Sequence, residues 1–385
     1  MPSSRVLTAS GLALGALGGA AAALRHPTFG AAPTGERLRR MQTSPQWNGN
    51  GFQNPEPPQS AGGPEILGEW LFGRTEHRTP DAPPPIARRQ ASDFAEPQSL
   101  RVTWLGHSTT LIEIEGRRLL IDPLFSDHAS PGPLFGIRRF HVPPLPLADV
   151  PDLDAVVLTH DHYDHLDYNA VRQLAWRAPR WVCPLGVGAH LERWGVPAAR
   201  ITEHDWWEEA DVSGIRLVCT PARHFSGRFL TDRNRTLWCG WAILGDERRV
   251  YATGDGGYQH AFADVGSRLG PFEITLAEAG AYDARWSDIH MGPEHAVDAV
   301  VDASGGLMLP VHWGTFNLAF HGWTEPAERA LVAAEAAGVP IAIPRPGQSV
   351  IPEAPPAAEH WWPERPWRTA QESPIVSSAG GDESR

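Results

Sequence analysis

The stretch that decides the fold is AVVLTHDHYDH, residues 155–165. Its opening AVVL is a short apolar run that predicts a buried strand, so the H-x-H-x-D-H string that follows must lie on a loop at the end of that strand. Three histidines and two aspartates fall within six positions, and all five side chains can bind metal. Because alternate residues of an extended segment share a face, His160 and His162 can converge on one ion while Asp164 and His165 turn toward a second.

Further metal-ligand side chains occur later in the chain, each just past an apolar run that predicts a strand. They are His224, Asp255 and His312. Taken singly, such a residue is more often structural than a ligand, and a loop of solvated histidines is the alternative interpretation of the H-x-H-x-D-H string. The common position of the candidates after strands favours one shared site. Five histidines and two aspartates suit two closely spaced divalent ions; Zn²⁺ fits these donors best, with Fe or Mn as alternatives.

The composition excludes several classes of protein. The 385 residues are 42% hydrophobic and 20% charged, which is enough for a sizeable core. All 33 basic residues are arginine, so mechanisms that need a lysine amine, such as those of pyridoxal enzymes, kinases and P-loop NTPases, are excluded. The formal charge of -12, without a basic groove, argues against nucleic acid as a partner. The three cysteines form no C-x-x-C pair, so neither a disulfide framework nor a thiolate zinc site is indicated.

The middle of the chain predicts an α/β fold. Apolar runs predict strands at 101–105, 109–115, 118–122, 155–158, 215–220, 237–244 and 249–253. Helical periodicity is present at 168–176, 187–194, 294–301 and 325–336. Two strand-rich halves, each followed by helices, indicate two packed sheets with helices outside, a four-layer αβ/βα sandwich.

The two ends of the chain differ in composition from the middle. Residues 1–26 contain an uncharged run from 6 to 24 that is typical of an export signal; an uncleaved membrane anchor and a helical cytosolic tail are the alternatives. The expected location is therefore the cell envelope, with the cytoplasm as the alternative. Residues 27–97 predict an irregular Pro-rich arm laid over the folded domain of residues 98–350. Residues 351–385 form a Pro- and Ser-rich C-terminal tail, and the part after Trp361 is expected to be frayed.

A series of motifs in a fixed order spans about residues 101–316. They are WLGHSTTLIEI, LLIDPLFSDHASPGPLFGIRRF, LTHDHYDHLD, TGDGGY, GAYDARW, HMGPEHAV and PVHWGTF. In this order they resemble the metallo-β-lactamase superfamily and, within it, the N-acyl-phosphatidylethanolamine-hydrolysing phospholipase D family. H-x-H-x-D-H alone identifies only the superfamily, whereas the RF-containing segment and HWGTF narrow the resemblance. The implied fold is the four-layer metallo-β-lactamase-like sandwich, with residues 98–350 as a hydrolase domain.

The resemblance implies a role for each candidate ligand. It assigns them to two zinc ions: His160, His162 and His224 to one, Asp164, His165 and His312 to the other, with Asp255 bridging both. Asp122, in the Leu-Ile-Asp-Pro segment, would hold the ligand loop through hydrogen bonds without touching metal. The alternative for Asp122 is a turn-initiating aspartate before a proline. His107 is not a ligand in the family and is interpreted as structural.

The resemblance also implies residues that contact substrate. Tyr163 and His290 match a tyrosine and a histidine near the substrate phosphate, where either would donate a proton to a phosphate oxygen or to the leaving group. Asp164 would also orient the attacking hydroxide. Ile289 stands where the animal enzyme has glutamine, which leaves headgroup recognition open.

The activity implied is zinc-dependent hydrolysis of a phosphodiester, in N-acyl-phosphatidylethanolamine or a related phospholipid, with release of phosphatidate. A lactone or other ester hydrolase on the same dizinc site is the alternative, because substrate in this superfamily changes with the loops. A non-catalytic metal-binding envelope protein would lack a ligand, and all seven positions are filled. A phospholipid or other small phosphodiester is the expected partner. Sixteen tryptophans allow contact with a membrane surface, and the oligomeric state is not predicted.

Overall fold

The computed structural model describes residues 26–59, 66, 68–69, 77–132, 135–356 and 359–379. The predicted export or anchor segment therefore lies, except for its last residue, outside the described residues. Across the part of the chain that is described, no helix is long and apolar enough to cross a membrane.

Within the described ranges the first sheet has seven strands, and strands are numbered in chain order. They are β1 (Leu100–Gly106), β2 (Thr109–Ile114), β3 (Arg117–Ile121), β6 (Ala155–Val157), β7 (Trp181–Pro184), β8 (Ile201–His204) and β15 (Ser349–Val350). Their order is β15-β1-β2-β3-β6-β7-β8. The pairs from β15 to β3 are antiparallel, and those from β3 to β8 are parallel.

The second sheet has six strands in the part of the chain that the structure describes. They are β9 (Glu209–Val212), β10 (Ile215–Thr220), β11 (Gly240–Leu244), β12 (Arg249–Ala252), β13 (Phe272–Glu278) and β14 (Gly305–Val311). Their order is β14-β13-β12-β11-β10-β9, antiparallel from β9 to β12 and parallel from β12 to β14. The strands β4 (His128–Gly132) and β5 (Phe135–Arg138) pair antiparallel in a separate small sheet.

Helices cover the outer faces of both sheets. The described α-helices are α1 (Gly35–Met41), α2 (Tyr168–Leu174), α3 (Gly188–Arg193), α4 (Ala261–Leu269), α5 (Pro293–Asp302) and α6 (Glu325–Ala337). Short 3-10 helices lie at Pro27–Phe29, Ala91–Phe94, Leu147–Asp149 and Ala198–Arg200. The arm is therefore not wholly irregular, since α1 and two of the 3-10 helices belong to it.

The alternation of side chains along each strand divides the core into layers. In β2, Ile112 packs between the two sheets, whereas its neighbour Leu111 faces the layer of α2 and α3. On the second sheet, Tyr251 packs under α4 and α5, and Ile243 faces the space between the sheets. The predicted four-layer sandwich is thereby confirmed.

The C-terminal tail differs from its prediction. Ile375 and Ser377 are buried, at 7% and 3% exposure. The Ser287 hydroxyl donates to the carbonyl of Val376 at 2.6 Å. The expectation of a frayed tail is wrong for these residues, because their contacts come from loops distant in sequence.

Candidate metal centre

The candidate ligands converge because the strands that carry them end at one edge of the sandwich. The H-x-H-x-D-H loop follows β6 of the first sheet, and His224, Asp255 and His312 follow β10, β12 and β14 of the second. Since β10, β12 and β14 run in the same direction, their carboxyl ends meet at the same edge. All seven predicted ligand residues belong to clusters of donor atoms in which each atom lies within 4.8 Å of the others.

The first group of donors consists of three imidazoles. Nε2 of His160 lies 2.9 Å from Nδ1 of His162, and Nε2 of His224 lies 3.2 Å from the same Nδ1. His160 and His224 are buried, and His162 is partly exposed. Three ring nitrogens facing one point form one side of a tetrahedral site.

The second group combines a carboxylate with two imidazoles. Oδ2 of Asp164 lies 3.2 Å from Nε2 of His312 and 3.6 Å from Nε2 of His165. His107 approaches the same oxygen, with its Nε2 at 2.9 Å. His107 therefore contacts a candidate ligand directly. Its structural role is to hold the carboxylate of Asp164 in place.

Asp255 lies between the two groups. Its Oδ2 is 2.9 Å from Nε2 of His312, 3.0 Å from Nε2 of His165 and 4.0 Å from Nε2 of His160. One carboxylate thus faces imidazoles of both groups, which is the geometry expected of a bridging ligand.

Hydrogen bonds outside the donor groups fix the orientation of two of the rings, those of His165 and His224. Nδ1 of His165 bonds to Oδ2 of Asp122 at 2.7 Å, and Asp122 also accepts from the backbone and hydroxyl of Thr159. Nδ1 of His224 donates to the carbonyl of Ile289 at 2.9 Å. Because each Nδ1 is occupied, each Nε2 is left for a metal ion. These are the contacts expected of Asp122 as a residue that holds the ligand loop.

The electrostatics favour the metal-binding protonation state of the first donor group and of the two aspartates, whereas at His165 and His312 the facing carboxylates outweigh burial, which lowers the pKa, and raise it. Burial lowers the pKa of His160 and of His224 well below the ordinary value, and the neighbouring imidazoles lower both further. Burial raises the pKa of Asp164 and of Asp255, but His165 and the other nearby imidazoles outweigh it and hold both pKa values well below the usual range. Neutral imidazoles and ionised carboxylates are the forms that bind divalent cations.

Two unpartnered atoms show that the donor set fits a cation. Nε2 of His165 and Oδ2 of Asp255 are buried and only 3.0 Å apart, yet neither has a hydrogen-bond partner among the described residues. Buried polar atoms without partners are costly, and a metal ion that coordinates both would satisfy them. Imidazole nitrogen with carboxylate oxygen is a donor set that suits Zn²⁺.

His290 lies beside both donor groups, and Glu278 contacts it. The His290 ring centroid is 5.0 Å from that of His224 and 5.2 Å from that of His312. Its Nδ1 bonds to Oε1 of Glu278. Sequence reasoning missed Glu278, although its place at the end of β13, beside strands that end near candidate ligands, was the available signal.

Tyr163 belongs to the ligand loop but has partners outside the donor groups. Its hydroxyl donates to the carbonyl of Arg228 at 2.7 Å, and the Arg228 guanidinium lies 4.0 Å from its ring centroid. It also lines a cavity of about 280 Å³ together with Ser126, Asp167 and Asn169. The structure therefore places the tyrosine on the wall of a neighbouring cavity.

The arm secures the ligand loops from outside. Nδ2 of Asn54 donates to the His224 carbonyl at 2.8 Å, and Oδ1 of Asn54 accepts from the His224 backbone N–H at 3.2 Å. Asp161 accepts from the hydroxyl of Thr236 at 2.8 Å and contacts Nε2 of His190 at 3.3 Å. The other ring nitrogen of His190 accepts from the backbone N–H of Ala31, which belongs to the arm, at 2.9 Å.

Comparisons with known proteins agree with this geometry. Residues 117–313 match the family model of the beta-lactamase superfamily domain. The chain is 50% identical over 303 residues to an uncharacterized protein of Mycobacterium tuberculosis, covering 77% of this chain and 79% of that one. It is 35% identical over 296 residues to N-acyl-phosphatidylethanolamine-hydrolyzing phospholipase D 1 of Caenorhabditis elegans. The match covers 71% of this chain and 83% of that protein. Igni18, a metallo hydrolase of Ignicoccus hospitalis, has the same fold, with a TM-score of 0.51 and 21% sequence identity. The superposed region covers 65% of this chain and 97% of Igni18.

Proposed function

This chain belongs to the metallo-β-lactamase superfamily and is related to the N-acyl-phosphatidylethanolamine-hydrolysing phospholipases D, and we propose that it is a dizinc phosphodiester hydrolase. Its proposed substrate is N-acyl-phosphatidylethanolamine or a related glycerophospholipid. Cleavage on the headgroup side of phosphorus would release phosphatidate and the alcohol.

The observation that carries the proposal is the position of Asp255 between two complete donor groups. One group offers the imidazoles of His160, His162 and His224, and the other offers Asp164, His165 and His312. A single tetrahedral zinc uses four ligands, so six donor residues around a shared carboxylate favour two ions. Imidazole and carboxylate donors also suit iron or manganese.

The reaction follows from the residues around the donor groups. The seven donor residues would hold divalent ions, whose chemistry when bound would be to supply hydroxide near neutral pH and to offset the negative charge on phosphate oxygens. Asp164, with its side chain 15% exposed, is placed to accept a hydrogen bond from the attacking hydroxide. His290, with its side chain 17% exposed, is placed to donate a proton to the departing alcohol oxygen. Tyr163 would bind the substrate from the wall of its cavity.

Substrate identity is supported by similarity in sequence. The relative in Caenorhabditis elegans is named for hydrolysis of N-acyl-phosphatidylethanolamine, and this chain covers 83% of its length. The backbone carbonyl of Ile289 accepts a hydrogen bond from His224, and the Ile289 side chain is buried, at 7% exposure. Ile289 therefore offers no polar side-chain group to a substrate headgroup.

The deciding experiment uses purified, metal-replete protein and N-acyl-phosphatidylethanolamine in detergent micelles. We expect phosphatidate as product, because cleavage of the acyl esters cannot produce it. A lactone and a soluble aryl phosphodiester are assayed in parallel. Rapid lactone opening with no phosphatidate in any detergent would replace the proposal with an ester or lactone hydrolase.

A further inference from the structure

Glu278 is a buried carboxylate with two specific partners. It ends β13 and has 0% exposure. Its Oε2 accepts from the backbone N–H of Gly256 at 2.6 Å, and its Oε1 bonds to Nδ1 of His290. Burial raises the pKa of Glu278, whereas the contact with His290 opposes that rise. Both carboxylate oxygens are therefore engaged, one with the backbone next to Asp255 and one with the imidazole.

The contact with Glu278 determines which nitrogen of His290 is free. The backbone beside the ring is held by a hydrogen bond from Met291 N–H to the Gly256 carbonyl at 3.0 Å. The contact with Oε1 occupies Nδ1, whichever of the two groups donates. Nε2 is then left as the reactive atom of a ring that lies beside both His224 and His312.

We infer that Glu278 is a positioning residue: it holds His290 so that Nε2 presents a proton to the leaving group of the phosphodiester. The inference rests on the proposed function. As hydroxide adds to phosphorus, the bond from phosphorus to the alcohol oxygen breaks, and that oxygen keeps the electron pair and takes the Nε2 proton. The ring becomes neutral, retains its Nδ1 contact with Glu278 and regains a proton from water.

A ligand role for Glu278 is the competing assignment. Glu278, His290, Asp255 and His312 form one of the clusters whose donor atoms lie within 4.8 Å of one another. Oε1 of Glu278 is 3.8 Å from Nδ1 of His312, on the side of that ring opposite the nitrogen that faces Asp255. Both oxygens of Glu278 already bond to Gly256 and His290. Glu278 is therefore placed to hold the His290 ring and not to bind a metal ion.

The test is a double-mutant cycle on the zinc-loaded enzyme with two leaving groups. Glu278→Gln, His290→Ala and the double variant are assayed on N-acyl-phosphatidylethanolamine, whose alcohol needs a proton, and on bis(4-nitrophenyl) phosphate, whose nitrophenolate does not. We expect Glu278→Gln to lower kcat on the lipid by about 10- to 100-fold with a smaller change in KM. The loss on the aryl diester should stay below about threefold, and Glu278→Gln should cost almost nothing in the His290→Ala background.

Controls separate positioning from folding and from ligation. Glu113→Gln changes another fully buried glutamate, on β2, that pairs with Arg101 and Arg118; it should affect both substrates equally. Zinc content of Glu278→Gln should equal that of the parent, and a loss of one ion would establish the ligand role instead. Equal losses on both diesters, or additive losses in the double variant, would overturn the inference.

The tautomer of His290 can be measured without any turnover. In protein labelled with ¹⁵N-histidine and loaded with zinc, the His290 resonance should report a proton on Nδ1, and Glu278→Gln should change that tautomer or broaden it. An unchanged resonance would refute the positioning role. If the parent cleaves neither diester, the proposed function fails, and the imidazole measurement still decides the role of Glu278.

Discussion

Arg223 and Asp288 form a buried ion pair, with Nη1 2.8 Å from Oδ1, that joins two loops of the candidate site. Arg223 precedes His224, and Asp288 lies two residues before His290. The arm and the tail meet at the same pair. Arg223 donates to the carbonyl of Glu56 at 2.9 Å, and Asp288 accepts from the backbone N–H of Ser378 at 2.7 Å.

Replacing Asp288 by Ala should destabilise the fold by about 3 to 5 kcal/mol, because it leaves the buried guanidinium of Arg223 without its charge partner. Urea unfolding measures the change. Asp298→Ala serves as control, since that side chain is 59% exposed and its partner His295 is at 3.3 Å. A loss under about 1 kcal/mol, equal to that of the control, would show that the pair does not secure the two loops.

Purified protein should contain about two zinc ions per chain when it is prepared without chelator, because seven donors exceed the needs of one tetrahedral site. Removal of metal should abolish hydrolysis, and added zinc should restore it. Elemental analysis gives the stoichiometry. A reproducible value near one, unchanged by added zinc, would contradict the dinuclear arrangement.

Asp255→Ala should abolish turnover while the fold survives, because the change removes the carboxylate oxygen that faces imidazoles of both donor groups. Zinc content should fall, and circular dichroism should remain that of the parent. Asp246→Ala, in the turn between β11 and β12, is the matched control. Parental rates in Asp255→Ala would show that the ligand assignment is wrong.

Asn54→Ala should weaken zinc binding by about tenfold or more, since it removes both hydrogen bonds to the backbone of His224 and a third from the indole of Trp238. Competition with a chromogenic chelator measures the affinity. Asn50→Ala, at an exposed turn of the same arm, should leave it unchanged. If both variants bind zinc as the parent does, the arm does not support the ligand loop.

Local sequence patterns predicted several secondary-structure elements and the ligand loop of this protein. Strand β10 coincides with its prediction at 215–220, and the helices α5 and α6 lie within one residue of the predicted bounds. These elements have strong periodicity, and their turns are marked by nearby glycine or proline. The H-x-H-x-D-H loop was equally recognisable, because its donors are adjacent in the chain. The structure corrects the expectation of one extended segment: residues 163–165 form a turn, in which the N–H of His165 donates to the carbonyl of His162 at 3.1 Å.

Weaker local signals left other elements unassigned. β7, at Trp181–Pro184, has four residues and ends in proline, and β13 interrupts its apolar side chains with glutamates. α4, at Ala261–Leu269, contains a glycine in its last turns. Short length, a proline or a charged residue makes a buried element resemble a loop when only its own residues are considered.

Tertiary structure alone decided which distant polar groups meet. Asn54 reaches His224 across 170 positions, and Asp288 binds Ser378 across 90. A buried polar atom requires a partner, but nothing in its own segment specifies where in the chain that partner lies. Sequence therefore determined which side chains can bind a metal, whereas the packing of two sheets, the arm and the tail decided that Glu278 would face His290 and that Asp255 would lie between the two donor groups.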